Sequence, residues 1–290
     1  MRVPKFWQKA SRSTQTPAGE PWELSAWGWS DESEQAAALS AQERLKAQAS
    51  ALAAGTPPGH YYPAGERPLR EELLDHPREG TVITRNAYGA RILNTERAAF
   101  VDVDVDLAPP SAQLGFFARL FGARSDREQT LEETVELLRA ALGPERVSAR
   151  VYETHSGLRL LLTDRVYEPT ARETLALLER LGCDPLYLTL CRQQECFRAR
   201  LTPKPWRCSQ ESPPNAWPQF ESPSRRWPYS SPEAERVAQD WVERYERVCR
   251  NYSATRYLTT LGERHVHDEV RPVMDLHDEL SGATSSLPLA

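Results

Sequence analysis

Phe100-Val101-Asp102-Val103-Asp104-Val105-Asp106 alternates apolar and acidic residues without a break. Alternation with a period of two marks a strand with one dry and one wet face, so the valines point into a core and the three aspartates point away from it. Aspartate is among the poorest strand formers. Three on one face therefore point to a role for the carboxylates themselves. Side chains two residues apart on a strand stand about 7 Å from one another, near enough for Asp102, Asp104 and Asp106 to share one or two divalent cations, Mg2+ or Mn2+. The competing account is a solvated strand face with no further role. An EF-hand is disfavoured, because Leu107 stands where that loop wants glycine and Gln113 where it wants glutamate.

Working outward from this strand, Thr81–Thr84 and Ala90–Leu93 flank the turn Asn86-Ala87-Tyr88-Gly89 as a hairpin. Downstream, Ser125 and Glu128 form a capping-box pattern ahead of a helix with Leu131, Val135, Leu138 and Leu142 on one stripe, stopped at Gly143-Pro144. Val147–Glu153 and Leu158–Thr163 are two further strands joined by Thr154-His155-Ser156-Gly157. Pro169 opens a second helix, Asp184-Pro185 caps a short third one through Gln194, and Cys196–Leu201 alternates as a last strand. The order β-α-β-β-α-β predicts an α+β fold with a ferredoxin-like split βαβ core, an added N-terminal hairpin and flanking helices.

That core spans residues 66–208. Residues 1–65 are a Trp-, Ala- and Ser-rich appendage with one helix, Asp31–Ala54, ended by Gly55 and Pro57-Pro58-Gly59; it packs on the core or docks a protein partner. Residues 209–290 are a Pro-rich loop with Trp217 and Trp227, then a long helix opened by Ser231-Pro232 with Val237, Trp241, Tyr245, Val248 and Tyr252 on one stripe, and a polar tail. At 290 residues this is one large domain or one domain with appendages. Asp and Glu number 41 against 36 Lys and Arg, a net charge of -5, which excludes a generally basic nucleic-acid coat and leaves room only for a local basic patch. No run has the length and apolarity of a signal peptide or a membrane span, so a cytoplasmic protein without a membrane partner is expected. Five cysteines, an odd number, are expected to be reduced.

Two further stretches carry chemistry. Thr154-His155-Ser156-Gly157-Leu158-Arg159 offers backbone N–H groups, the His155 imidazole, the Ser156 hydroxyl and a bidentate Arg159, donors suited to phosphate; the alternative is an ordinary surface hairpin. Between Arg192 and Arg207, Arg192, Arg198, Arg200, Lys204 and Arg207 face only Glu195, the strongest local charge excess in the chain. Guanidiniums there suit phosphate, Pro203-Lys204-Pro205 stiffens the backbone, and Trp206 suits stacking on a base. Equally, these arginines pair with the aspartate row. Cys183, Cys191, Cys196 and Cys208 lack the CxxC spacing of a zinc site, and the His265–Asp278 tail has no ligand spacing either. No P-loop, GxGxxG, HExxH or GxSxG motif occurs.

Together these motifs resemble the archaeo-eukaryotic primase and primase-polymerase superfamily, whose core is an RRM-like sheet bearing an Asp-x-Asp strand and then a Ser-x-His strand. Phe100–Asp106 is similar to the first motif and Ser156–Arg159 falls where the second belongs, with Arg159 at the position of the nucleotide-binding histidine and no clear third carboxylate. The resemblance covers about residues 80–207. It implies a nucleotidyltransferase in which Asp102 and Asp104 hold the metal and His155, Ser156, Arg159, Arg198, Arg200 and Lys204 hold a nucleoside triphosphate or nucleic acid. The run Cys196–Arg207 also resembles that of a family of uncharacterised bacterial proteins. The alternative function is a non-catalytic module that binds nucleic acid or a protein partner.

Overall fold

A computed structural model describes residues 1–15, 19, 21–55, 68–105, 125–214 and 232–290. The described residues form a mixed α+β fold with six α-helices and three antiparallel sheets, and divide into two compact units. Arg2–Leu73 contributes most of the smaller unit; Leu74–Ser212 and Val242–Ala290 make up the larger one. Residues Asp106, Leu107, Gln113, Trp217, Trp227, Ser231 and Pro57-Pro58-Gly59, all invoked above, lie outside the described residues.

In the smaller unit, β1 (Phe6–Gln15) and β2 (Pro21–Ser30) pair antiparallel beneath α1 (Glu34–Ala53). The hairpin adds to the one helix expected of this appendage. Its signal is the alternation of buried Leu24, Ala26, Gly28 and Ser30 with half-buried Trp27 and Trp29, masked by polar β1. Ser33 caps α1 by accepting from the Ala36 amide at 3.1 Å. The helix turns Ala37 and Ala41 inward rather than Leu39, which stays exposed. The reason is steric: a Cβ on Gly28 would sit 2.0 Å from the Ala41 nitrogen, a distance that admits only small residues on the facing helix.

The larger unit contains β3 (Glu72–Arg78), β4 (Thr81–Arg85), β5 (Arg91–Thr95), β6 (Phe100–Asp104), α2 (Asp126–Leu142), β7 (Ala149–Thr154), β8 (Gly157–Leu162), α3 (Arg172–Arg180), α4 (Pro185–Gln194), β9 (Phe197–Arg200), α5 (Pro232–Cys249), which it shares with the smaller unit, β10 (Arg256–Leu261) and α6 (Arg271–Ser281). The capping box of α2 forms, with the Ser125 side chain on the Glu128 amide and the Glu128 carboxylate on the Ser125 amide. Leu131, Val135, Leu138 and Leu142 of α2 join Val101, Val103, Leu158 and Leu160 in one core. Along α5 the stripe is buried at Trp241 and Tyr245 but exposed at Val237.

One sheet runs β10-β7-β8-β6 and the other β3-β4-β5-β9. Elements follow one another in the expected order, with β8 between β6 and β7. The last strand departs from expectation: β9 pairs with β5, Ile92 opposite Arg200, rather than extending the sheet at β6. Tyr187 of α4 supplies the physical reason. Its hydroxyl lies 3.1 Å from the Phe100 carbonyl and 3.0 Å from both the amide and the carbonyl of Arg198, so a phenol occupies the place of the ladder bonds. At the opposite edge β10 pairs with β7, and α6 buries Val273, Met274 and His277. The polar tail thus carries a strand and a helix that its sequence did not announce; its buried residues include Thr255, His277 and Ser281, polar positions that hid the periodicity.

The turn beside the aspartate strand depends on Gly157. A Cβ there would lie 2.1 Å from the Val103 carbonyl oxygen and 2.9 Å from the Val105 nitrogen. Gly157→Ala is expected to force β8 off β6 and cost about 1–3 kcal/mol, measured by urea unfolding.

Candidate phosphate site

Asp102 and Arg159 stand directly opposite one another in the β6–β8 register. Arg159 Nε donates to Asp102 Oδ1 at 2.7 Å and Nη2 to Oδ2 at 3.1 Å, while Nη1 reaches the Arg200 carbonyl at 3.0 Å. Burial opposes the Arg159 charge, and the Asp102 carboxylate outweighs it, holding the guanidinium above its usual pKa. Both aspartate oxygens and much of the guanidinium are therefore engaged in a bond that joins β6, β8 and β9. These two residues, expected to hold metal and phosphate, hold each other.

Asp104 is exposed and accepts no hydrogen bond among the described residues. Burial of part of the carboxyl, then Asp184 and Asp102, raise its pKa, against Lys204 and Arg207, which lower it. Asp184 was read only as a helix cap. It is one, its Oδ1 accepting from the Tyr187 amide at 3.0 Å and from that of Leu186. Its own amide also donates to the Asp102 carbonyl at 3.0 Å, which brings it against β6. With some eighty residues between them in sequence, no local spacing announces this carboxylate pair.

Opposite the carboxylates lie three cations. Arg200 ends β9, Lys204 precedes the 3₁₀ turn Pro205–Arg207 and Arg207 ends it. Among the described residues none of the three forms an ion pair, and Arg200 Nε is buried without a hydrogen-bond partner. Burial followed by the Arg200 and Arg207 charges lowers Lys204; burial followed by Arg200 lowers Arg207 to about 10. Like charges are held together here with only partial compensation, from Asp104 and, for Lys204, also from Asp102. The backbone that holds them is tied down: the Tyr245 hydroxyl donates to the Pro203 carbonyl, the Arg207 amide to the Lys204 carbonyl at 2.8 Å, and the Gln210 amide to the Pro205 carbonyl at 2.9 Å.

The β7–β8 turn closes the cluster. Arg207 donates to Ser156 Oγ at 2.6 Å, and His155 Nδ1 lies 3.4 Å from that oxygen. Arg127 of α2, which sequence reasoning missed, fixes the turn by donating to Glu153 at 2.7 Å and to the Thr154 carbonyl at 2.8 Å, both charges being buried. Arg198, by contrast, directs Nη1 to Gln194 Oε1 at 2.7 Å. His155 and Arg207 also line a groove of about 1660 Å³ between α2, β10 and residues 288–290.

Burial first, then Arg207, Arg127, Arg200 and Lys204, push His155 down to about 4. Its imidazole is neutral at physiological pH and contributes no charge to anion binding. Between the ordinary value near 6.5 and 4 the unfolded chain binds the proton more readily, so this group's contribution to stability is full above 6.5 and is lost as pH falls toward 4. Anion affinity measured between pH 6 and 8 is accordingly expected to show no inflection from His155; a protonation step near 6.5 that disappears in His155→Gln would contradict this.

All five cysteines are buried, and none forms a disulfide. Among the described residues no group of three or more His, Cys, Asp or Glu side chains converges as a metal site, nor is any helix long and apolar enough to cross a membrane. Asp104 accepts no hydrogen bond among the described residues, and the Asp184 charge is near enough to raise its pKa. No family model, curated protein or solved structure matches the chain.

Proposed function

We propose that the chain is a primase-polymerase-like domain that takes a nucleoside triphosphate, with its phosphates on Arg200, Lys204, Arg207 and Ser156. The observation that carries this reading is the crowding of three cations that form no ion pair among the described residues and whose mutual repulsion Asp104 offsets only in part. A polyanion relieves the repulsion. Arginine offers planar, bidentate donors to phosphate oxygens, and lysine a compact charge. Ser156 Oγ already accepts from Arg207, so its O–H is the group available to donate, to His155 Nδ1 or to the ligand. The order β7-β8-β6, with α2 crossing between β6 and β7, supports the RRM-like core that such domains share.

Mg2+ or Mn2+ on Asp104 and Asp184 would neutralise phosphate charge and favour attack of a 3′-hydroxyl on the α-phosphate. Asp102, committed to Arg159, positions β6 instead. That pairing favours a second reading, a non-catalytic nucleotide- or nucleic-acid-binding module. Primer extension with Mn2+ separates the two: extension lost in Asp104→Asn identifies a nucleotidyltransferase, whereas triphosphate binding without extension leaves the binding module.

A further inference from the structure

We infer that Trp206 is the stacking platform for the base of the ligand whose phosphates lie on Arg200, Lys204 and Arg207, a role that rests on the phosphate-binding reading of those cations. Trp206 is the only large aromatic side chain exposed among the described residues, at 54%. It sits between two members of the basic cluster, with the Lys204 ammonium 5.6 Å from its ring centroid. Tyr88, from the β4–β5 turn, tilts against it at 59° with centroids 5.6 Å apart, supporting one side of the indole. Neighbouring backbone is fixed: Pro205 is buried, and its carbonyl accepts from the amides of Cys208 and Gln210. The Tyr88 end is fixed too, since Asn86 Oδ1 accepts from the Tyr88 amide at 3.2 Å and from that of Ala90 at 3.0 Å.

An indole more than half exposed, on a backbone fixed by hydrogen bonds, gives a flat ring apolar surface to cover at little cost in backbone entropy. Every nucleobase has such a face, so the platform selects nucleosides over inorganic polyphosphate while discriminating weakly among bases. The nearby ammonium adds charge to the same surface.

The test titrates wild type, Trp206→Ala and Trp206→Phe with three probes: inorganic tripolyphosphate, ATP and a single-stranded oligothymidylate. Thermal melts check that the exposed substitutions leave the fold intact. Stacking is expected to make Trp206→Ala about ten-fold weaker for a base-bearing probe, with tripolyphosphate unchanged and most affinity restored in Trp206→Phe. Loss confined to ATP assigns the platform to a free nucleotide, and loss confined to the oligonucleotide assigns it to a strand; both support stacking. Equal loss for tripolyphosphate overturns it, since Trp206 would then only shape the cation cluster. Unchanged affinity for both base-bearing probes, with tripolyphosphate still bound, removes the platform and spares the phosphate site. A folded wild type that binds none of the three probes removes both.

Discussion

Asp102→Ala is expected to destabilise the larger unit by about 3–5 kcal/mol, with no compensating gain elsewhere. The substitution leaves Arg159, only 3% exposed, as a buried cation without its carboxylate. It also frees the donors that join β8 to β6, the edge strand that carries Asp104. A carboxylate kept only for metal would behave differently, because removing it relieves repulsion and leaves stability unchanged or higher. Asp104→Ala supplies that contrast: Asp184 and Asp102 both disfavour the Asp104 charge, and its removal is expected to change stability by no more than about 0.5 kcal/mol. The double variant Asp102→Leu/Arg159→Met, which replaces the ion pair with apolar volume, is expected to recover most of the stability that Asp102→Ala loses. Urea unfolding of the four proteins checks the set.

Lys204→Met/Arg207→Gln is expected to weaken triphosphate binding at least about 100-fold, since each charge-assisted hydrogen bond contributes about 1.5–3 kcal/mol. The same substitutions are expected to leave the unliganded protein as stable as wild type or more so. Both charges sit at lowered pKa values because burial and like-charged neighbours disfavour them. Stability and affinity therefore move in opposite directions, a pattern that a structural role for these residues does not produce. In wild type, tripolyphosphate is expected to raise the melting temperature through preferential binding to the folded state, and the double variant is expected to lose that rise. A melting point that falls in the ligand-free variant would instead show that the cations hold the fold together.

How much of this was legible in the sequence depended on whether the signal was local. The strand at Phe100–Asp104, the capping box of Ser125 and Glu128, the Asp184 cap and the turn at Asn86 all arise from neighbours in the chain, and all appear in the structure. The basic run from Arg200 to Arg207 was visible because a turn and a short strand keep close residues close. Arg159 was read as a ligand on its residue type; its commitment to Asp102 is a cross-strand pairing that only the β6–β8 register reveals. The place of β9 was illegible for a similar reason. One tyrosine hydroxyl from α4 stands where a strand was expected to pair, and nothing near Phe197 foretells it. Hairpin β1–β2 and strand β10 escaped because β1 carries Lys9, Ser11, Arg12 and Ser13 on exposed positions and β10 half-buries Thr259 and Thr260, so neither strand alternates cleanly.

Calorimetric titration of the wild-type protein with ATP and Mn2+ near pH 7.5, at low and at moderate salt, tests the phosphate site most directly. Saturable binding is expected, weaker at the higher salt as screening grows, and absent under the same conditions from Lys204→Met/Arg207→Gln. A well-folded wild type that produces no binding heat and no thermal shift, or a double variant that binds as tightly as wild type, would contradict the assignment of Arg200, Lys204 and Arg207 to a triphosphate.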